Sequence, residues 1–99
     1  MSPTYAKSTR FTREFDKLDG NEQDRFMEAV SQFVSDLRAG NGFRKSLRVK
    51  KMQGHDNIWE MTWETGDGRA TFSYGPEVRP GEQHVIWRRI GGHEIFKNP

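Results

Sequence analysis

The last sixteen residues, His84-Val-Ile-Trp-Arg-Arg-Ile-Gly-Gly-His-Glu-Ile-Phe-Lys-Asn-Pro99, bring together groups suited to a phosphodiester. Arg88 and Arg89 are fixed cations whose planar forks match phosphate oxygens. His93 is of the one side-chain type that ordinarily titrates near neutrality, so it can take or give a proton. Phe96 offers a face on which an unstacked base can rest. Cleavage of RNA by its own 2′-hydroxyl needs a base for that hydroxyl, an acid for the leaving 5′-oxygen, and cations for the charge on phosphorus. His93, Arg69, Arg89 and Phe96 are the candidates for those tasks, with no metal or cofactor called for.

More ordinary roles stay open for each. A loop histidine often caps a carbonyl, Arg69 can pair with Glu60 across a hairpin, and Phe96 can close the core beside Ile95. Trp59, Trp63 and Trp87 read mainly as core residues. Other chemistries are poorly served. The chain has no cysteine, which excludes disulfides and thiolate metal sites. His93 and Glu94 are adjacent and so are no natural ligand pair. No glycine-rich phosphate loop precedes a helix, and no Ser or Cys nucleophile motif is present.

The elements that must hold these residues follow from periodicity. Thr4–Lys7 is a short candidate strand, after which Ser8 or Thr9 can cap a helix bearing Phe11, Phe15 and Leu18 on one face. Asp19 and Glu22 have the spacing of a capping box. Phe26, Val30, Phe33, Val34 and Leu37 then form one apolar stripe, ended by Gly40-Asn41-Gly42. From residue 43 the period becomes two. Leu47 and Val49 alternate with Arg48 and Lys50, Trp59, Met61 and Trp63 with Glu60 and Thr62, and Ala70, Phe72 and Tyr74 with Arg69, Thr71 and Ser73. Thr65-Gly-Asp-Gly68 is a hairpin loop, and the last strand runs from His84 to Ile90. The expected fold is α+β, with two N-terminal helices on one face of an antiparallel sheet of about four strands, as a single domain over residues 1–99.

Such a sheet leaves its second face open. Alternation puts Arg69 there, opposite Phe72 and Tyr74, together with Arg48 or Lys50, Glu60 and Arg89, and sends Arg88 to the other side. Charge is distributed to match. Residues 1–43 carry six Lys/Arg against seven Asp/Glu, whereas residues 44–99 carry ten against seven, with five cations between Arg44 and Lys51. Lys45, Arg48, Lys50 and Lys51 are therefore candidate RNA-binding residues, in a pattern that favours a polyanionic partner. No segment approaches the roughly 20 apolar residues of a membrane span, and the N-terminus lacks a secretory apolar core. A cytoplasmic protein without membrane contact is expected.

The order Phe11-Thr-Arg-Glu-Phe-Asp-Lys-Leu18, Leu47-Arg-Val-Lys-Lys-Met52, Ile58-Trp-Glu-Met61, Gly68-Arg-Ala-Thr-Phe-Ser-Tyr74 and Trp87-Arg-Arg-Ile-Gly-Gly-His-Glu-Ile-Phe96 resembles the RelE/ParE superfamily of type II toxin–antitoxin toxins over nearly the whole chain. The closing Arg-x-Gly-x-His-x-x-Phe is most similar to the YafQ/YoeB-type mRNA endonucleases. The resemblance implies a βααβββ fold and metal-independent cleavage of mRNA on the ribosome. It further implies a 2′,3′-cyclic phosphate product and a cognate antitoxin as partner. It makes Arg69 and Arg89 the phosphate-binding arginines, His93 the proton-transfer residue and Phe96 the aromatic of the site, with Lys50 and Lys51 near basic positions. Where RelE has lysines this chain has Ile58 and Glu60, which puts more weight on His93. Two other functions lie within the same resemblance: a ParE-like gyrase poison that does no chemistry, and an inactive relative that binds RNA or antitoxin.

Overall fold

The computed structural model describes residues 3–99. Strand β1, Thr4–Lys7, leads into helix α1, Thr9–Asp16, and helix α2, Gly20–Ala39. Strands β2, Lys50–Lys51, β3, Trp59–Glu64, β4, Gly68–Gly75, and β5, His84–Gly91, follow, and a 3-10 turn over His93–Lys97 ends the ordered elements.

Local chemistry explains the helix boundaries. Ser8 is the cap of α1: its hydroxyl oxygen accepts from the Phe11 amide at 3.0 Å and its hydroxyl donates to the Arg88 carbonyl at 2.8 Å, tying the helix start to β5. Asp19 and Glu22 form the expected capping box, with Glu22 N–H donating to Asp19 at 2.8 Å and Asp19 N–H to Glu22 at 3.1 Å. Gly40 ends α2 at φ +72°, where a side chain would be strained. Replacing Asp19 by alanine should cost about 1 kcal/mol of stability, read as a lower midpoint in urea at unchanged slope.

The sheet has five strands in the order β1-β5-β4-β3-β2, rather than about four, and is mixed rather than antiparallel. The N-terminal strand is the reason. It forms one sheet edge by pairing parallel with β5, Thr4 opposite His84 and Lys7 opposite Trp87, and α1 and α2 then carry the chain toward β2 at the opposite edge. The strand expected around Leu47 also differs. Lys45–Leu47 is a 3-10 turn, Arg48 has φ +46°, and only Lys50 and Lys51 pair with β3. Leu47 is buried because the turn tucks it under the sheet end, so its alternation with Arg48 is not that of a strand.

One sheet face packs on the helices through an aromatic cluster of Phe11, Phe26, Phe33, Phe72 and Trp87, with ring centroids 5.0–6.0 Å apart. Trp63 joins it edge-on to Phe26. The second face is covered along β4 rather than left open. Arg69, Thr71 and Ser73 are all buried there, beneath the C-terminal segment, whose Ile95 is fully buried. Thr71 donates its hydroxyl to the Pro99 backbone oxygen at 3.2 Å. No helix among the described residues is long and apolar enough to cross a membrane.

Candidate active site

Three segments converge on His93: the β3–β4 hairpin, the end of β5 and the C-terminal turn. Gly68 allows the hairpin to close, because a Cβ there would lie 2.8 Å from the Trp63 ring and 2.9 Å from the Glu64 amide nitrogen. Arg69 then holds the hairpin from inside, Nη1 donating to the Glu64 and Gly68 carbonyls at 3.1 and 3.0 Å. The turn thus carries Asp67 out toward the start of the C-terminal segment. There the His93 amide donates to Asp67 Oδ1 at 3.0 Å, and the same oxygen accepts from His93 Nδ1. Gly92 makes the approach feasible, since a Cβ at that position would overlap the Asp67 carboxylate. Ile95, with its amide bonded to the Gly92 carbonyl at 3.2 Å, anchors the turn from below.

The Asp67–His93 pair has a chemical consequence. A carboxylate only accepts, so Nδ1 carries the proton and Nε2 is the free nitrogen. Both side chains are more than half exposed, which leaves Nε2 accessible to a substrate. Phe96 meets the imidazole edge-on, ring centroids 5.7 Å apart, and restricts its tilt. The hydrogen bond from the His93 ring holds the Asp67 carboxyl below the usual range, assisted by the His93 amide and by the charge of Arg69. Asp67 is consequently an anion through the neutral and mildly acid range, the state needed to orient the ring.

The cleft beside this pair, about 230 Å³, is lined by Glu22, Glu64, Asp67 and Glu94. Glu64 is paired with Arg25 and Asp67 with His93, which leaves Glu22 and Glu94 to give this side of His93 a negative field that disfavours a polyanion. Among the described residues, no three His, Asp or Glu side chains cluster to hold a metal ion.

The arginines behave differently from expectation. Arg69 lies on the face away from the helices but is buried at 7% exposure. It does not pair with Glu60, which faces Lys50 at 3.9 Å. Arg88 and Arg89 do not obey simple alternation, because β5 carries one extra residue: Trp87 pairs with Phe72 and Arg89 with Thr71. The extra residue of this bulge is Arg88, and a bulge re-aims side chains. Arg88 lands on the face away from the helices, Nε donating to the Pro99 oxygen at 3.1 Å and Nη1 reaching Ser73 Oγ at 3.4 Å. Arg89 turns to α1 and meets Glu14 at 2.5 Å, both side chains mostly buried. Its Nη1 also donates to the Asn98 carbonyl at 3.3 Å, steadying the segment that bears His93 and Phe96.

Glu14 has a second task. β1 stops at Lys7, so the outer edge of β5 beyond Trp87 lacks a strand partner. Glu14 accepts the Ile90 amide there at 3.3 Å. Glu14→Gln should therefore weaken the fold by about 2 kcal/mol, the scale of a charged hydrogen bond removed from a mostly buried group. Thermal unfolding above pH 5 tests it; an unchanged midpoint would show the clamp to be inert.

Lys45, Arg48, Lys50 and Lys51 are exposed at the far edge of the sheet. Arg44 is set apart from them by a bidentate pair with Asp36, which draws that carboxyl down to about 2. Asp67 and Glu14 do not belong to the site expected from sequence. Asp67 reads as an ordinary hairpin-turn residue, and Glu14 as a solvated helix position; neither carries a local signal of its distant partner.

No family sequence model matches the chain, and no curated protein matches it in sequence. Solved structures do match in shape. A double arginine-to-alanine variant of E. coli RelE in the free state superposes with TM-score 0.65 at 13% identity, over 98% of this chain and 93% of that one. YafQ from the E. coli DinJ–YafQ toxin–antitoxin complex gives 0.62 at 12%, over 95% and 96%. An archaeal RelE–RelB complex from Pyrococcus horikoshii gives 0.60 at 17%, over 93% and 96%. A hairpin of helices against a sheet with this strand order, matched from end to end, gives this chain the fold of the RelE/YafQ-type toxin superfamily.

Proposed function

We propose that this protein is the toxin of a type II toxin–antitoxin system and acts as a ribosome-dependent, metal-independent mRNA endonuclease in the cytoplasm. The observation that carries the reading is the Asp67–His93 pair, an exposed imidazole with its proton-bearing nitrogen turned inward and Phe96 at its edge. Support for the setting comes from neighbours of the same fold, several of which were solved with the antitoxins RelB or DinJ. A cognate antitoxin is accordingly the expected protein partner, and mRNA on the ribosome the substrate.

In this mechanism His93 Nε2 accepts the proton of a ribose 2′-hydroxyl. The 2′-oxygen bonds to phosphorus, the bond from phosphorus to the 5′-oxygen breaks, and that oxygen takes a proton from solvent. His93 then returns its proton to water. The products are a 2′,3′-cyclic phosphate and a 5′-hydroxyl. Arg69 contributes fixed positive charge behind the reacting phosphate and holds the hairpin, while Arg89, paired with Glu14, acts by holding the C-terminal segment in place. Lys45, Arg48, Lys50 and Lys51 attract the strand at the opposite sheet edge. Purified protein added to ribosomes translating a defined mRNA should yield fragments ending in a 2′,3′-cyclic phosphate. Intact mRNA under these conditions rules the reading out.

One observation favours a second reading, in which a protein of this fold acts by binding alone, as a gyrase poison or an inactive relative. Arg69 and Arg89 are both already paired within the molecule. On that reading any toxicity persists in His93→Ala and is unaccompanied by RNA ends.

A further inference from the structure

A cleft of about 280 Å³ opens where the start of α1 meets β5 and the chain's last residues. Its lining is Ser8, Arg10, Ile86, Arg88, Arg89, Asn98 and Pro99, three arginines and no carboxylate side chain. From this we infer a phosphate-binding site, built by Arg10 and Arg88, that takes a backbone phosphodiester of a single nucleic-acid strand.

The charges in the cleft are not equivalent. Arg89 is neutralised from behind by Glu14. Arg88 uses Nε on the Pro99 oxygen and one terminal nitrogen on Ser73, and its other terminal nitrogen has no protein acceptor among the described residues. Arg10 is exposed and takes part in no ion pair among the described residues. Arg88 is thus partly satisfied by the Pro99 oxygen at the cleft wall, while its remaining terminal nitrogen and the whole Arg10 guanidinium are left for an anion. Guanidinium forks suit the tetrahedral oxygens of a phosphate.

Position decides in favour of a strand. The bulge that makes Arg88 the extra residue of β5 also turns it to the face covered by the C-terminal segment. Gly91, three residues farther along β5, precedes the turn bearing His93, a separation of roughly 10 Å along a strand. The negative field on the Glu22 and Glu94 side disfavours the other approach to His93. A strand running past Phe96 and Lys97 therefore passes His93 and then this cleft. The inference rests on the proposed nucleic-acid substrate for the identity of the strand, but not on any chemistry at His93.

The test uses a single-stranded 2′-deoxyoligonucleotide, which lacks the attacking hydroxyl and is read for binding alone, with inorganic phosphate as a second probe. Arg10→Ala and Arg10→Glu break no internal pairing, and matching melting curves will establish that both fold. Arg10→Ala should weaken oligonucleotide binding about 3–10-fold at low salt and flatten the salt dependence by about 0.7 in slope, the share of a single neutralised phosphate. Arg10→Glu should weaken it further, and Arg88→Lys, which keeps charge without the fork, should weaken it too. Unchanged affinity and slope in both Arg10 variants would overturn the site. Arg10 dependence for inorganic phosphate alone would overturn the assignment to a strand. Because the probe is not cut, loss of cleavage in the ribosome assay and loss of this binding are separate failures.

Discussion

His93→Ala should lower single-turnover cleavage of ribosome-bound mRNA by about 10²–10⁴-fold, with the fold intact. The size follows from the work given to the ring. Among the described residues it is the only imidazole that the fold fixes by a carboxylate and presents to solvent, and the proposed mechanism gives it the proton transfer. His84, by contrast, is bonded to Thr4 at 2.8 Å at the other end of β5. The His93 side chain is more than half exposed, so its removal opens no cavity. Asp67→Asn is the informative companion. It keeps a side chain of the same size but loses the charge and can donate to Nδ1, which permits the wrong tautomer. Its activity should fall between wild type and His93→Ala, and joining the two changes should cost no more than His93→Ala alone. Additive losses would mean that the two residues act separately.

Phe33→Ala should destabilise the protein by about 3–5 kcal/mol. Phe33 is 1% exposed and stands at the middle of the aromatic layer. It stacks on Phe43 at 4.9 Å, meets Phe72 edge-on at 5.0 Å and packs on Trp87 at 5.4 Å. Truncation strips packing from three sides, and large neighbouring rings cannot collapse into the space. A domain of this size has only some 5–15 kcal/mol in reserve, so the melting temperature should fall by roughly 15–30 °C. Phe33→Leu, which fills most of the space, should recover more than half of the loss. A small effect for the alanine variant would mean that the helices and sheet are less closely packed than the ring distances require.

The parts of this fold that the sequence announces are those decided by near neighbours. The capping box of Asp19 and Glu22 joins residues three apart, and the stripe of Phe26, Val30 and Phe33 needs only a helical period. The Thr65–Gly68 loop likewise declares its turn by its glycines. What escapes is set by partners far along the chain. Period-two alternation at Leu47 and Val49 is as compatible with a 3-10 turn that buries Leu47 as with a strand. Nothing local marks Arg88 as the extra residue of a bulge, yet that one residue brings both arginines against the C-terminal segment. β1 joins β5 across some eighty residues, and that parallel pairing leaves the β5 edge that Glu14 seals.

The site divides in the same way. His93 and Phe96 are legible because their types and spacing fall within one short segment, and the structure sets them ring to edge. Arg69 and Arg89 are legible as cations but not as paired ones, since their acceptors are backbone carbonyls and a carboxylate on another element. Asp67 lies 26 residues before its partner, in a turn where aspartate is commonplace. Its charge beside the imidazole is the feature that turns an exposed histidine into a candidate for catalysis.

The central claim is tested most directly by mapping mRNA 5′-ends in cells after induction of this chain, beside His93→Gln expressed to the same level. Wild type should create new 5′-hydroxyl ends within translated reading frames, in a fixed phase relative to the codon, and His93→Gln should create none. The same ends in both strains, or growth arrest without any new ends, would contradict it.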